Sequence, residues 1–476
     1  MSPDQRRAHA RSRRTHQMTT GPIGITLARM AGPMVIAMIS MIGFSLVDTF
    51  FIGQLGTAEL AAVSFTFPVI LFIGSVSMGI GTGATSAIAR AIGEGDEHRI
   101  KRLTTDSILL GVILTVVFAV GGLLTIDPLF RLLGADAETL PFIREYMLIW
   151  YLGVPAVVVP QIGNSAIRAT GDTKTTAWIM MSAMLVNLAL DPILIFGFGP
   201  VPALGVAGAA IATVVARFVS LGVSVYVLWL RERMITFERP ALAEVVRSWR
   251  AVLSIGVPAS LTQLIVPLSA GVITRLVAAS GVAAVAGFGV ATRLEMFAVF
   301  TITALGTVLI PFVGQNWGAG NDARARDGVK IARRFALGWG AAMWVLALVF
   351  GRSVSALFNS DPAVIAASAD YLWIVGASFG LQGLVIVNTS AFNAIDKPID
   401  SMAVSLVRMF ALYVPFALAG NALMGLTGIW YAAAAANVLS GILSSAWFDR
   451  VMRAVTQRRA GDAASQPAIP GDAPPA

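Results

Sequence analysis

Apolar residues run along this chain in stretches of 20 or more, broken by short clusters of charge, glycine or proline. A helix of about 20 apolar residues matches the hydrocarbon thickness of a bilayer, and the pattern predicts twelve such helices. They fall over residues 32–53, 59–92, 104–126, 138–168, 173–197 and 205–230 in the first half. In the second half they fall over 251–279, 283–316, 329–350, 362–393, 398–420 and 425–450. Several exceed the membrane thickness, so those helices tilt or extend into the aqueous phase. Pro68, Pro155, Pro160, Pro192 and Pro267 lie inside predicted spans and can kink them.

The two halves repeat. Pro33, Gly56, Gly93, Gly95 and Arg99 recur as Pro258, Gly281, Gly318, Gly320 and Arg324, each pair 225 residues apart. Asp136 and Tyr146 return as Asp361 and Tyr371 at the same offset, and Asn164 and Asp172 as Asn388 and Asp396 at 224. A two-fold internal repeat in an apolar chain points to a transporter with its site between the halves. The predicted fold is therefore all-α and integral to the membrane, with twelve transmembrane helices in two six-helix lobes. The boundaries are a basic segment over 1–31, a first lobe over 32–230, a charged connector over 231–250, a second lobe over 251–452 and a disordered tail over 453–476. The copies differ at one telling place, where Asp48 of the first corresponds to Ile273 of the second. The ionisable chemistry is expected in the first half.

Basic residues alternate with the spans. Arg6, Arg7, Arg11, Arg13 and Arg14 precede the first span, and Arg99, Lys101 and Arg102 follow the second. Arg168 and Lys174 flank the next such loop, and Arg231 to Arg250 the one between the halves. Arg324 to Arg334, Lys397 and Arg450 to Arg459 continue the series, while the opposite loops hold little beyond Arg131 and Arg352. By the positive-inside rule both termini are cytoplasmic and the protein is a multi-pass component of the plasma (inner, cytoplasmic) membrane.

Composition agrees: 56% hydrophobic against 13% charged residues, with a mean hydropathy of +0.77, where soluble domains carry about 25% charged residues. The net charge of +8 is accounted for by cytoplasmic loops facing anionic headgroups, which removes nucleic acid as an expected partner. The Arg-Arg pairs near the start suggest an export signal, but the first apolar run lacks a convincing cleavage site and belongs to the repeat, so it reads as a retained helix. Zero cysteines exclude disulfides and thiol chemistry. His9, His16 and His98 all lie outside the spans and no nucleophile or metal motif stands out, so no enzyme activity and no cofactor are expected. Nothing demands more than a monomer.

Few residues inside the spans can carry chemistry. A carboxylate at Asp48 costs about 2.5–3.5 kcal/mol to insert and normally faces a cavity, an ion or a proton. Asn187 and Asp191 are one helical turn apart and share a face. Pro192 has no amide hydrogen to offer the Leu188 carbonyl. Hard oxygen ligands of this kind suit Na⁺, and the same carboxylates can carry H⁺. Gln161 and Asn164 in the fourth span and Thr213 in the sixth can complete an ion shell or serve as interhelical hydrogen bonds. In the second half Arg293 and Glu295 are two apart and so do not face each other, which directs Glu295 to the central cavity or to an arginine such as Arg408 or Arg217.

Several segments together resemble the multidrug and toxic compound extrusion (MATE) family. They are Val47-Asp48-Thr49 through Gly53-Gln54-Leu55-Gly56, Gly163-Asn164 to Arg168-Ala169-Thr170-Gly171-Asp172-Thr173, Asn187 through Pro200, Gly205 to Ala210, and Pro311 through Gly320. The resemblance covers about residues 25 to 450. It implies two six-helix lobes around a central cavity that export organic cations and other drugs in exchange for Na⁺ or H⁺. The sequence is most similar to the branch named for DNA-damage-inducible proteins, which implies coupling at Asp48, Asn187 and Asp191 with Thr213 and Asn164 as companions. The other main branch places an acid in the seventh span, where this chain has Gln263 and no carboxylate.

The expectation is thus a cation-coupled secondary antiporter working by alternating access on amphipathic organic cations within lipid. The rival is a lipid-linked oligosaccharide flippase of related architecture. That activity calls for cations to meet a pyrophosphate, for which Arg217, Arg275, Arg293 and Arg408 are available.

Overall fold

A computed structural model describes residues 14–465. Four of the N-terminal arginines, Arg6, Arg7, Arg11 and Arg13, lie outside the described residues. The first lobe holds α1 (Ile23–Gly53), α2 (Thr57–Glu94), α3 (Glu97–Leu132), α4 (Leu140–Leu152), α5 (Val154–Ala169), α6 (Thr173–Phe196) and α7 (Gly205–Tyr226), the last extended by a π-turn over Val227–Arg231. The second holds α8 (Leu242–Ala278), α9 (Val282–Gly318), α10 (Asp322–Ala356), α11 (Pro362–Gly376), α12 (Phe379–Ala394), α13 (Pro398–Leu406) and α14 (Val414–Ser465), with a π-turn over Val407–Tyr413 between the last two. Among the described residues the only β-type pairing is the Phe198–Val201 bridge in a tight turn.

Three breaks reconcile these helices with twelve crossings. The fourth predicted span is bent by 47° between α4 and α5, and the tenth by 58° between α11 and α12. At the first bend Pro155 follows Gly153, where an added Cβ would lie 2.3 Å from Val214. At the second, the Val375 carbonyl accepts from both the amide and the Oγ of Ser378, at 2.9 and 2.6 Å. Pro68, Pro160, Pro192 and Pro267 instead sit within continuous helices. The third break is Gly425, whose φ of 61° and ψ of −138° interrupt α14. On a straight helix Gly420 and Gly428 would stand about 12 Å apart. Yet a Cβ on Gly420 would meet the Gly428 carbonyl oxygen at 2.3 Å. The chain reverses there, giving two antiparallel spans.

Both ends of the chain are more ordered than the composition suggests. Residues 14–20 are helical and α1 begins at Ile23, so much of the segment over 1–31 is packed: Met18, Leu27 and Met30 are buried. Asn316 and Arg324 of the second lobe hold it by donating to the Met18 carbonyl at 3.1 and 3.0 Å. At the other end α14 continues to Ser465, so the tail expected as disordered over 453–476 is helical for its first thirteen residues. Tertiary contact is the cause. Arg459 lies 3.7 Å over the Trp317 ring and donates to the Trp317 carbonyl at 3.0 Å. Residues 466–476 lie outside the described part. The connector over 231–250 is helical from Leu242, as the first turns of α8.

The lobes meet along a seam of small residues. A Cβ on Gly83 of α2 would lie 2.2 Å from the Val252 carbonyl oxygen of α8, and one on Gly79 would lie 2.1 Å from Ser260 Oγ. Gly93 approaches the Gln315 carbonyl oxygen to 2.1 Å, and Gly318 that of Arg90 to 2.2 Å, by the same measure. Backbones come this close only where no side chain intervenes. Hydrogen bonds lie alongside: Ser86 Oγ donates to the Asn393 carbonyl at 2.6 Å and Gln315 Nε2 to that of Ala169 at 2.7 Å. The seam runs from Gly79 and Ser260, inside their helices, to Gly93 and Gly318 at the helix ends that carry the basic loops.

A charged latch closes the same end of the first lobe. Arg14 donates to both carboxylate oxygens of Glu232, at 2.8 and 2.7 Å, and to Asp172 at 3.3 Å. Arg231 donates to Asp172 and, at 2.7 Å, to Thr175 Oγ1. Burial alone would raise the Asp172 carboxyl, but the Thr175 amide and hydroxyl and the two guanidiniums outweigh it and hold the group below its ordinary value. A lowered folded value means that this stabilisation is complete above the ordinary 3.8 and is lost only as the pH falls below it. Physiological acidification therefore leaves the latch intact. Asp172→Asn is expected to cost about 1–2 kcal/mol, discounted because Arg231 is partly solvated. Thermal unfolding in detergent should show a lower Tm for the variant at pH 7 and a difference that shrinks towards pH 3.

Candidate functional site

Three helices bring the polar residues of the first lobe together. α1 packs on α6, and α6 on α7. Asp48 projects from α1, Asn187 and Asp191 from α6, and Thr213 from α7. Asn187 Nδ2 donates to Asp191 Oδ1 at 2.9 Å, as their spacing of one turn permits. Asn187 and Asp191 are fully buried, and Thr213 is 6% exposed. Each of the four nevertheless has a buried oxygen without a partner: Asp48 Oδ1, Asp191 Oδ2, Asn187 Oδ1 and Thr213 Oγ1. Buried polar atoms are nearly always satisfied, and four unsatisfied acceptor oxygens in one place are what a bound cation or proton would satisfy.

The helical repeat builds layers around this cluster. One turn beyond Asp48, Asp191 and Thr213 stand Ile52, Ile195 and Ala209, all fully buried and in mutual contact. They form an apolar layer on that side of the cluster. One turn in the other direction, Phe44 and Arg217 line a cleft with Gln161, Asn164, Ala183 and Ser220. Its free volume of about 50 Å³ suffices for a few waters or a small ion, which need about 10–15 Å³ apiece. Tyr146 of α4 shares the electrostatic surroundings of Asp48, Asp191 and Arg217. Among the described residues no three His, Cys, Asp or Glu side chains cluster. Two carboxylates with an amide and a hydroxyl are a donor set for a proton or a monovalent cation.

The weaker candidates separate. Gln161 and Asn164 line the cleft, and Asn164 Oδ1 is buried without a partner. Its repeat counterpart Asn388 is saturated: it accepts from Arg333 Nε at 2.7 Å and donates to Ser444 and Ser445 at 2.9 and 3.0 Å. Gln263 of α8 reaches Met78 Sδ of α2 at 3.9 Å, across the seam. Arg293 is exposed and turned away from Glu295, as the two-residue spacing requires. Glu295 lies in a separate network, accepting from Tyr371 Oη at 2.6 Å and Gln382 Nε2 at 3.0 Å with Arg408 within electrostatic reach. Arg408 itself donates to Asn437 Oδ1 at 3.0 Å. Tyr146, Tyr371, Gln382 and Asn437 escape a search for charge. The tyrosines do leave a trace in the sequence, because the repeat places both at equivalent positions and each sits beside the acid of its own lobe.

Comparison with known proteins bears on the family and the fold. The family profile described as MatE matches residues 33–193 and again residues 258–419. The two matches begin 225 residues apart, the offset of the internal repeat. The chain is 39% identical to the FAD transporter of Shewanella oneidensis over 427 residues, covering 90% of this chain and 94% of that protein. It is 26% identical to the multidrug export protein MepA of Staphylococcus aureus, covering 86% and 89%. The crystal structure of the Vibrio cholerae MATE transporter VcmN in the bent form superposes with a TM-score of 0.87 at 32% identity, covering 92% of this chain and 99% of that one.

Proposed function

The chain belongs to the MATE family of multi-pass membrane transporters, which are not enzymes, and on that premise we propose that it is a cation-coupled antiporter exporting small organic solutes by alternating access. The observation that carries the coupling is the set of four unpartnered buried oxygens on Asp48, Asn187, Asp191 and Thr213. Ionised carboxylates in such a place are costly unless a cation joins them. Taking up H⁺ or Na⁺ from outside removes that cost and stabilises the arrangement from which substrate is released. Losing the ion inside restores the charge and resets the site. The seam and latch at the basic, cytoplasmic end support assigning the described arrangement to the outward-facing half of the cycle, with both termini inside.

Two substrate classes stand in contrast. Organic cations suit a site whose fixed charge is a pair of carboxylates, and relatives such as MepA are named for multidrug export. Flavin dinucleotide, an aromatic anion, is the second reading, favoured by the relative from Shewanella oneidensis. The flippase alternative gains little from Arg408, which is engaged by Asn437 and does not line the Arg217 cleft.

The test is reconstitution in liposomes with a fluorescent organic cation, and separately with FAD, under an imposed pH gradient and then a Na⁺ gradient. Accumulation driven by one gradient is expected and names the ion. Absence of movement for both substrates under both gradients would overturn the antiporter.

A further inference from the structure

Arg217 takes no part in the coupling described above, yet it stands one turn from Thr213 on the wall of the first-lobe cleft. It makes no hydrogen bond, and no ion pair within 4.0 Å, to another described residue. Instead its guanidinium lies 4.6 Å from the centroid of the Phe44 ring, and the carboxylate within its electrostatic reach is Asp48. Arg408, by contrast, is hydrogen-bonded to Asn437. A cation held by an aromatic face and a nearby carboxylate is held by the two interactions that recognise organic cations in binding sites. The cleft it occupies retains only about 50 Å³ of free volume, too little for an organic substrate while the side chain remains there.

We propose that the Arg217 side chain is a tethered stand-in for the cationic group of the substrate, occupying the Phe44 face when substrate is absent and displaced when an aromatic or amphipathic organic cation binds. This rests on the exporter reading and selects organic cations as its substrate class. The arginine also changes what ion loading does. With Asp48 and Asp191 ionised, the guanidinium leaves the cleft with one net negative charge, which attracts a cation. With both carboxylates neutralised, one monovalent ion or proton for each, the same guanidinium leaves one net positive charge, which expels it. Uptake of two ions thus reverses the sign of the charge around the cleft, where a single ion would only cancel it, and substrate release follows from repulsion at short range. The freed ring face is then covered again by Arg217.

The experiment compares wild type with Arg217→Gln and Arg217→Lys, using ethidium binding in detergent and ethidium and FAD transport in proteoliposomes. For Arg217→Gln the ethidium Kd should fall about tenfold, the effect of removing one like charge at short range. Its turnover should fall as well, because ion loading no longer produces repulsion, so KM and kcat decrease together. Arg217→Lys keeps the charge and should stay near wild type in turnover. If Arg217→Gln does not fold, Arg217→Met, apolar and of similar length, gives the same comparison. Unchanged or weaker ethidium binding in the neutral variants would overturn the proposal. So would a loss of FAD transport confined to those variants, which would make Arg217 an anchor for an anion. Tighter ethidium binding by Arg217→Gln, with no transport by wild type under either gradient, would leave the tethered cation standing and sink only the exporter.

Discussion

Asp48→Asn is expected to bring gradient-driven efflux down to the leak of protein-free liposomes while the protein still folds and binds substrate. Asparagine keeps the size of the side chain and one acceptor oxygen, so the layer of Ile52, Ile195 and Ala209 one turn away is undisturbed. What disappears is a buried charge that only a cation or proton can neutralise. Without it the ion no longer distinguishes one arrangement of the lobe from the other, and an effect equal in both states couples nothing. Couplings between sites are typically worth 5- to 150-fold, so a drop of about 100-fold is the expected scale. The check is paired: efflux under each gradient, and substrate binding with the gradient absent. An unaltered efflux rate would place the coupling outside the first lobe, with Glu295 next in line. Ile273, at the position equivalent to Asp48 in the second lobe, explains why no duplicate carboxylate is there to compensate.

The second large effect is expected at the seam. Gly83→Val puts carbon where the Val252 carbonyl oxygen would be 2.2 Å and the Gly256 amide nitrogen 2.9 Å from the new Cβ. Both are backbone atoms of α8 and cannot swing aside, so the lobes must separate. Overpacking of this kind costs about 1–3 kcal/mol, enough to shift a two-state balance between closed and open forms of the basic end by one or two orders of magnitude. The native chain has no cysteine, so spin labels can be placed directly at His98→Cys and Asn321→Cys, just past α2 and α9. Their separation should lengthen and broaden in Gly83→Val, with transport reduced at least about tenfold. Gly74→Val is the control, since nothing lies within 4 Å of a Cβ there. Equal distance distributions in the two variants would show that the seam does not set the conformation.

The membrane class, the number of crossings and the two-fold plan were all legible in the linear chain. They depend on local hydropathy and on like residues at fixed offsets, neither of which requires knowing what touches what. The same logic exposed Asp48 and Asp191, because an acid inside an apolar run is conspicuous wherever the run packs. Asn187 followed from the helical period.

Tertiary structure decided the rest. It separated Asn164 from its twin Asn388, one with an unpartnered oxygen beside the cleft and the other saturated by Arg333 and two serines. It enclosed Glu295 between Tyr371 and Gln382, and it left Arg217 over Phe44 in place of the pairing with Glu295 that the sequence allowed. It also turned Arg14, Asp172, Arg231 and Glu232 into a latch and carried the last helix to Ser465. These outcomes share one physical cause. Whether a polar group is satisfied depends on atoms from helices distant in sequence, and a hydrogen bond or ring contact is made or lost over about an ångström, a precision that residue type and spacing do not carry.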